Sequence, residues 1–172
     1  MTAHTKTLII MRHGKSDWNS GVSRDFDRPL NDRGSKDVPR MAKWLHTQKL
    51  LPQRLISSPA RRAADTAKLI AENSGLGQEA IVHDEAIYEA GREDLCAVLA
   101  RHAGDSSCLL LVGHNPALDD LLEYLVSGRL PLTAGGKLMT TAAVAVLECA
   151  DWQLPRGSCQ LRHLQRPRDL ED

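Results

Sequence analysis

The sequence predicts an α/β fold, a mostly parallel sheet flanked by helices on both faces with an antiparallel element near the C-terminus. Three observations predict it. Short apolar runs of strand length recur along the chain, amphipathic stripes with helical spacing follow them, and the last two runs are joined by a turn with no helix between them.

The elements follow in order. Thr7 to Met11 is a continuous apolar run ending at a polar, glycine-containing stretch, as a buried strand entering a loop does. Val38, Met41, Ala42 and Leu45 form one stripe of a helix predicted to start near Gly34, with Pro39 in its first turn. Arg54 to Ser57 reads as the second strand, and Ser58-Pro59 supplies an N-cap and a first-turn proline for a helix carrying Ala63, Ala67, Ile70 and Ala71 on one face. The pattern repeats more weakly with Ala80 to His83 as strand and Glu93 to Ala103 as helix. Cys108 to Val112 is wholly apolar, and after Gly113-His114-Asn115-Pro116 a helix carries Leu118, Leu121, Leu122 and Leu125, closed by Gly128. Ala142 to Cys149 and Gln160 to Gln165 read as two strands of a hairpin around Pro155 and Gly157. Residues 166–172, charged and proline-containing, read as a loose tail.

At 172 residues the chain fits one domain, taken as residues 1–172. Basic and acidic residues balance at 22 each, so no whole-protein field draws the chain to nucleic acid or to an anionic membrane, and any anion recognition must be local. The longest apolar stretches, such as Leu109 to Val112, are too short to span a bilayer, and no signal-peptide pattern is present; the expectation is a cytoplasmic protein, monomeric by default. Cys96, Cys108, Cys149 and Cys159 form no C-x-x-C pair and read as free, mostly buried thiols rather than metal or redox ligands.

Ligands of open α/β sheets bind beyond the carboxyl ends of the strands. Three such positions carry cationic groups: Arg12 and His13 after the first strand, Arg61 and Arg62 after the second, and His114 after the fourth. Imidazoles, guanidiniums and helix N-terminal N–H groups together suit a phosphoryl group, whose oxygens arginine binds in bidentate fashion. Phosphoryl transfer asks for an in-line nucleophile and stabilised equatorial oxygens, and a neutral histidine can be that nucleophile. Nearby arginines favour its neutral form, while His114 serves best protonated, donating to a phosphoryl oxygen.

At these residues the chain resembles the histidine phosphatase superfamily, and within it the SixA-type phosphohistidine phosphatases. Leu8 to Asn19, with Arg12-His13-Gly14 at its centre, is similar to the superfamily's R-H-G signature. Ser58 to Ala67 resembles its S-x-x-x-R-A-x-x-T-A motif, Val112 to Pro116 its third motif, and Arg28 to Gly34 a stretch typical of the SixA branch. The resemblance implies a phosphoglycerate mutase-like fold, His13 as phosphorylated nucleophile, Arg12 and Arg62 as phosphate clamps, and His114 as the second phosphate-binding histidine. Arg62 is preferred to Arg61 because the motif's arginine directly precedes Ala63. Asn19 occupies a position that helps hold phosphate in related enzymes. The acid motif of the mutases is missing; Asp84 to Ala90 offers only Glu85 and Glu89 as candidate proton donors, with Glu89 included among the substrate-binding residues.

The implied activity is metal-independent and cofactor-free removal of phosphate through phosphorylated His13. A phosphohistidine loses a nitrogen that can leave as neutral imidazole, so the missing acid and the short chain, with little sequence for a lid, favour phosphohistidine in a protein as substrate. The alternatives are a phosphatase or mutase acting on small phosphomonoesters and a non-catalytic phospholigand-binding module. A metal hydrolase ranks last, since neither H-x-H nor H-E-x-x-H occurs. Trp18 is expected to pack beside a helix rather than gate the pocket. Gly135-Gly136-Lys137 lacks the full G-x-x-x-x-G-K-[ST] pattern and is not a P-loop.

Overall fold

A computed structural model describes residues 4–171. Six strands, β1 (Lys6–Arg12), β2 (Arg54–Ser57), β3 (Ile81–His83), β4 (Cys108–Gly113), β5 (Val144–Cys149) and β6 (Cys159–Gln165), form one sheet in the order β3-β2-β4-β1-β5-β6. The pairs β3–β2, β2–β4 and β4–β1 are parallel, whereas β5 runs antiparallel to β1 and β6 antiparallel to β5. The expected α/β class, the parallel majority and the C-terminal hairpin are all present.

Continuous apolar runs suit the central strands because both faces of the sheet are covered. Alternation along β1 sends Leu8 and Ile10 to one core with Leu109, Leu111 and Ile56, and Ile9 and Met11 to the other with Leu110, Val112 and Leu55. Helices α1 (Asp32–Thr47) and α2 (Arg61–Ser74) close the second core through Val38, Met41, Leu45, Ala67 and Ile70. Helices α3 (Arg92–Ala103) and α4 (Ala117–Leu125) close the first through Leu95, Leu99, Leu118 and Leu122. No helix among the described residues is long and apolar enough to cross a membrane.

The structure departs from the sequence expectations at several ends, each time because a polar side chain or a tertiary contact overrides a local signal. Helix α1 begins at Asp32, where the Asn31 side chain accepts the Gly34 N–H, so Pro39 lies inside the helix rather than in its first turn. Helix α2 begins at Arg61 with Ala60 as its cap. Ser58, the expected cap, instead accepts the Ala60 N–H at 3.2 Å and meets His114. Helix α4 ends at Leu125, short of Gly128, because Val126 bridges to Cys159. The expected loose tail is anchored: Arg166 and Pro167 are buried, Pro167–Asp169 form a 3-10 turn, and Leu170 packs on the core beneath α1. Asp172 lies outside the described residues. Of the four free cysteines, Cys149 and Cys159 are buried and oppose each other across β5 and β6, while Cys96 and Cys108 are half-buried.

Since β4 lies between β2 and β1, the carboxyl ends of these three strands are neighbours. Backbone bonds continue past the strand ends, His13 N–H to the Gly113 carbonyl at 3.2 Å and Ser58 N–H to the Val112 carbonyl at 3.1 Å. The segments carrying His13, Ser58 and His114 are therefore fixed side by side.

Candidate active site

His13 is buried, and its Nδ1 lies 2.8 Å from the Gly14 carbonyl oxygen. A carbonyl only accepts, so Nδ1 carries the proton and neutral His13 presents a lone pair on Nε2. Burial, with the charges of His114, Arg62 and Arg12 adding to it, lowers the His13 pKa from 6.5 to about 3. The loop that holds this imidazole is pinned from both sides. Gly14 N–H donates to the Thr66 hydroxyl of α2 at 3.0 Å, and the Lys15 carbonyl accepts from Asn31 N–H at 2.9 Å.

His114 sits with its ring centroid 5.2 Å from that of His13. Its Nε2 lies 2.8 Å from the Ser58 hydroxyl. Ser58 Oγ also accepts the Ala60 N–H, and its own O–H can donate to Nε2; in that arrangement the proton of neutral His114 sits on Nδ1. Burial, followed by the charge of Arg62, lowers its pKa to about 4.

Three guanidiniums surround the pair. Arg12 donates to the Met139 carbonyl at 3.0 Å. Arg62 is buried and donates to Asp25 twice, to the carbonyl at 2.9 Å and to the carboxylate at 3.0 Å. Arg28, also buried, meets the same carboxylate at 3.2 Å. Tyr88 donates its hydroxyl to Asp25 at 2.9 Å and stands edge-on to His114, with centroids 5.7 Å apart. Burial pushes the Asp25 carboxyl up, but the Tyr88 hydrogen bond and the Arg62 and Arg28 charges outweigh it and hold it below the ordinary range. Among the described residues, the buried side-chain nitrogens with no partner within the protein are Nε of Arg12, Arg28 and Arg62 and Nδ1 of His114, all in this cluster. Unpaired buried donors are costly, and their gathering in one place marks a site built for an anion with several acceptor oxygens.

The structure thus brings together Arg12, His13, Arg62 and His114. Arg61 stays outside, exposed and paired with Asp65 at 3.6 Å. Asn19 is exposed, with its backbone N–H on Asp17, and its side chain makes no hydrogen bond among the described residues. Glu85 and Glu89 are exposed and bond to none of the cluster, Glu89 sitting at φ 60°. Trp18 does not pack beside a helix as expected. It is 73% exposed, because its ring lies under the Arg28 guanidinium at 3.5 Å instead of against an apolar face. Sequence reasoning missed Asp25, Arg28, Tyr88 and the role of Ser58 beside His114. Arg28 stands in the sequence only as part of a motif, and Asp25 and Tyr88 meet across a separation of 63 residues, which no local pattern carries.

A mostly parallel sheet with cationic groups at three adjacent strand ends, and a buried histidine whose lone pair is kept unprotonated, defines a phosphate-handling α/β protein. The chain belongs to the histidine phosphatase superfamily (branch 1), whose family model matches residues 8–95. It is 29% identical over 140 residues to the phosphohistidine phosphatase SixA of Escherichia coli, a match covering 80% of this chain and 82% of that one. It is also 29% identical over 139 residues to an uncharacterized chloroplastic protein of Arabidopsis thaliana, covering 76% of this chain but only 64% of that protein. A solved structure of the protein histidine phosphatase SixA complexed with tungstate is similar in fold, with a TM-score of 0.80 at 24% identity over 96% of this chain and 99% of that one.

Proposed function

We propose that the protein is a phosphatase that works through phosphorylated His13, with phosphohistidine in proteins as its substrate. The observation that carries the mechanism is the buried His13 imidazole, its Nδ1 proton committed to Gly14 and its pKa lowered to about 3. Nε2 attacks phosphorus in line on a substrate ring that already carries a proton on its other nitrogen, so the P–N bonding pair stays on the leaving nitrogen and the imidazole departs neutral; water then attacks the phosphoryl group, the bonding pair returns to Nε2, and orthophosphate leaves while the water's surplus proton passes to solvent. Arg12, Arg28 and Arg62 hold the equatorial oxygens, and His114 donates to one of them. The incoming dianion must displace the Asp25 carboxylate from Arg62, since both seek the same donors.

The state of Asp25 supports the substrate class. It is the carboxylate in contact with the cluster and is held ionised, so it offers no proton to an alkoxide, while Glu85 and Glu89 make no bond to the cluster. A leaving imidazole needs such a proton least. The likeness to SixA points the same way. Asn19 joins the site as a phosphate-holding group only through the family motif, and Glu89 as a residue at the rim.

The test is phosphate release, with EDTA present, from a phosphohistidine protein and from a panel of small phosphomonoesters. The expected result is preference for the phosphoprotein, with turnover by His13→Ala lower by about 10³-fold or more. Turnover confined to phosphomonoesters would overturn the substrate class, and full activity in His13→Ala would overturn the mechanism.

A further inference from the structure

Beside the histidine pair, and sharing Arg12 with it, lies a cleft of about 290 Å³ whose walls carry Arg12, Lys15, Arg33, Lys137 and Arg168 and no carboxylate. Resting on the phosphatase reading above, we propose that this cleft is a second anion subsite, which holds a carboxylate or phosphoryl group carried by the same substrate whose phosphoryl group His13 takes.

The charge pattern is the first argument. The chain as a whole is neutral, and several cations elsewhere near the sheet have carboxylate partners, Arg62 and Arg28 with Asp25, Arg101 with Asp84, Arg162 with Glu148. In the cleft only Arg33 has a carboxylate, Asp37, at 3.3 Å. Lys15, Lys137 and Arg168 make no ion pair among the described residues. Gathering unpaired like charges raises the energy of the fold unless an anion joins them.

The second argument is that the walls are built. Residues 133–137 close a tight turn through Thr133 N–H to the Lys137 carbonyl at 2.8 Å and Lys137 N–H to the Thr133 hydroxyl at 3.0 Å. The buried Arg166 guanidinium ties this loop to the C-terminal 3-10 turn, donating to the Pro131 carbonyl at 2.6 Å and the Leu138 carbonyl at 3.0 Å. Lys137 and Arg168, which both line the cleft, are thereby held on two segments tied together by Arg166. Arg12 donates to the next carbonyl along, that of Met139, so the same segment positions the cleft and a guanidinium of the histidine cluster. Thr140 and Thr141 also line the cleft and add hydroxyl donors that suit carboxylate or phosphoryl oxygens. The Gly135-Gly136-Lys137 stretch, which is no P-loop, places its lysine here.

Two sources could supply the anion, acidic side chains flanking the phosphohistidine of a protein or a second phosphoryl group on a small molecule. The test begins with calorimetry on the full chain, comparing propane-1,3-diphosphonate with propylphosphonate, and then the pair Lys137→Glu and Arg168→Glu combined. Both residues are exposed, and circular dichroism confirms the fold of the variant. The diphosphonate is expected to bind wild type at least tenfold tighter than the monophosphonate, an advantage that falls below threefold in the double variant. An equal advantage in both proteins, or none in wild type, overturns the subsite. The second arm measures kcat/KM for phosphohistidine peptides with acidic or neutral flanks, and for a sugar bisphosphate against its monophosphate. A preference for the acidic peptide that collapses in the double variant assigns the subsite to protein substrates, and the same for the bisphosphate assigns it to small molecules. Turnover of no phosphohistidine peptide alongside an intact diphosphonate contrast would sink the phosphohistidine reading and leave the subsite standing. Peptide turnover without that contrast would do the reverse.

Discussion

Two forces act on His13 in the same direction. Burial disfavours its charged form, and the surrounding cations disfavour it further, so the imidazole stays neutral where an exposed one would be protonated. The cost appears as acid sensitivity. Above pH 6.5 the imidazole is neutral folded and unfolded, and the fold keeps its full stability; as pH falls from 6.5 towards about 3 only the unfolded chain takes the proton, so stability is lost through that window. At pH 5 the loss is roughly 2 kcal/mol for each such histidine, His13 and His114 alike. Urea unfolding at pH 7 and pH 5 should show His13→Gln losing about half as much stability from this source as wild type. Equal losses would mean that His13 is protonated in the folded protein. Asp25 is the other residue whose charge matters directly. Replacing it by asparagine removes a carboxylate that competes with phosphate for Arg62 and Arg28, and orthophosphate is expected to inhibit Asp25→Asn about threefold to tenfold more tightly. Weaker inhibition would show that Asp25 organises the arginines rather than competing.

Among the elements, α1 does more than cover the sheet. Its first turn backs the loop that holds His13, and a Cβ on Gly34 would collide with the Lys15 backbone, so close approach of helix and loop requires glycine there. Gly34→Ala is expected to cost about 1–3 kcal/mol in urea unfolding and to lower kcat/KM, because Lys15 is two residues from His13. Wild-type stability would mean that the loop yields without consequence. At this scale the sequence was legible where a period repeats over several residues. The runs of β1 and β4 and the stripes of α1, α2 and α4 were read correctly because burial on one or two faces imposes the pattern. Helix starts were misread where a single side chain decides them, Asn31 for α1 and the diversion of Ser58 to His114 for α2. The C-terminal turn was misread because Arg166 is charged by type yet buried by its carbonyl partners, which lie 28 to 35 residues earlier.

For the whole molecule, a neutral chain concentrates cationic donors at one end of a mostly parallel sheet, where three parallel strand ends meet. Arg12, His13, Arg62 and His114 were legible because each follows a predicted strand within a motif. Arg28, Asp25 and Tyr88 were not, since their meeting is set only by how the loop after β1 and the segment after β3 fold over the site. The same overlay leaves the carboxylate in contact with the site ionised, which is why a substrate with an undemanding leaving group fits the geometry. The most direct measurement is rapid quenching of the protein after mixing with a phosphohistidine protein labelled on phosphorus, followed by mapping of the label. The account predicts an acid-labile, base-stable label on His13 that forms and decays within one turnover and is absent in His13→Ala. Turnover with no label on His13, or label on another residue, would contradict it.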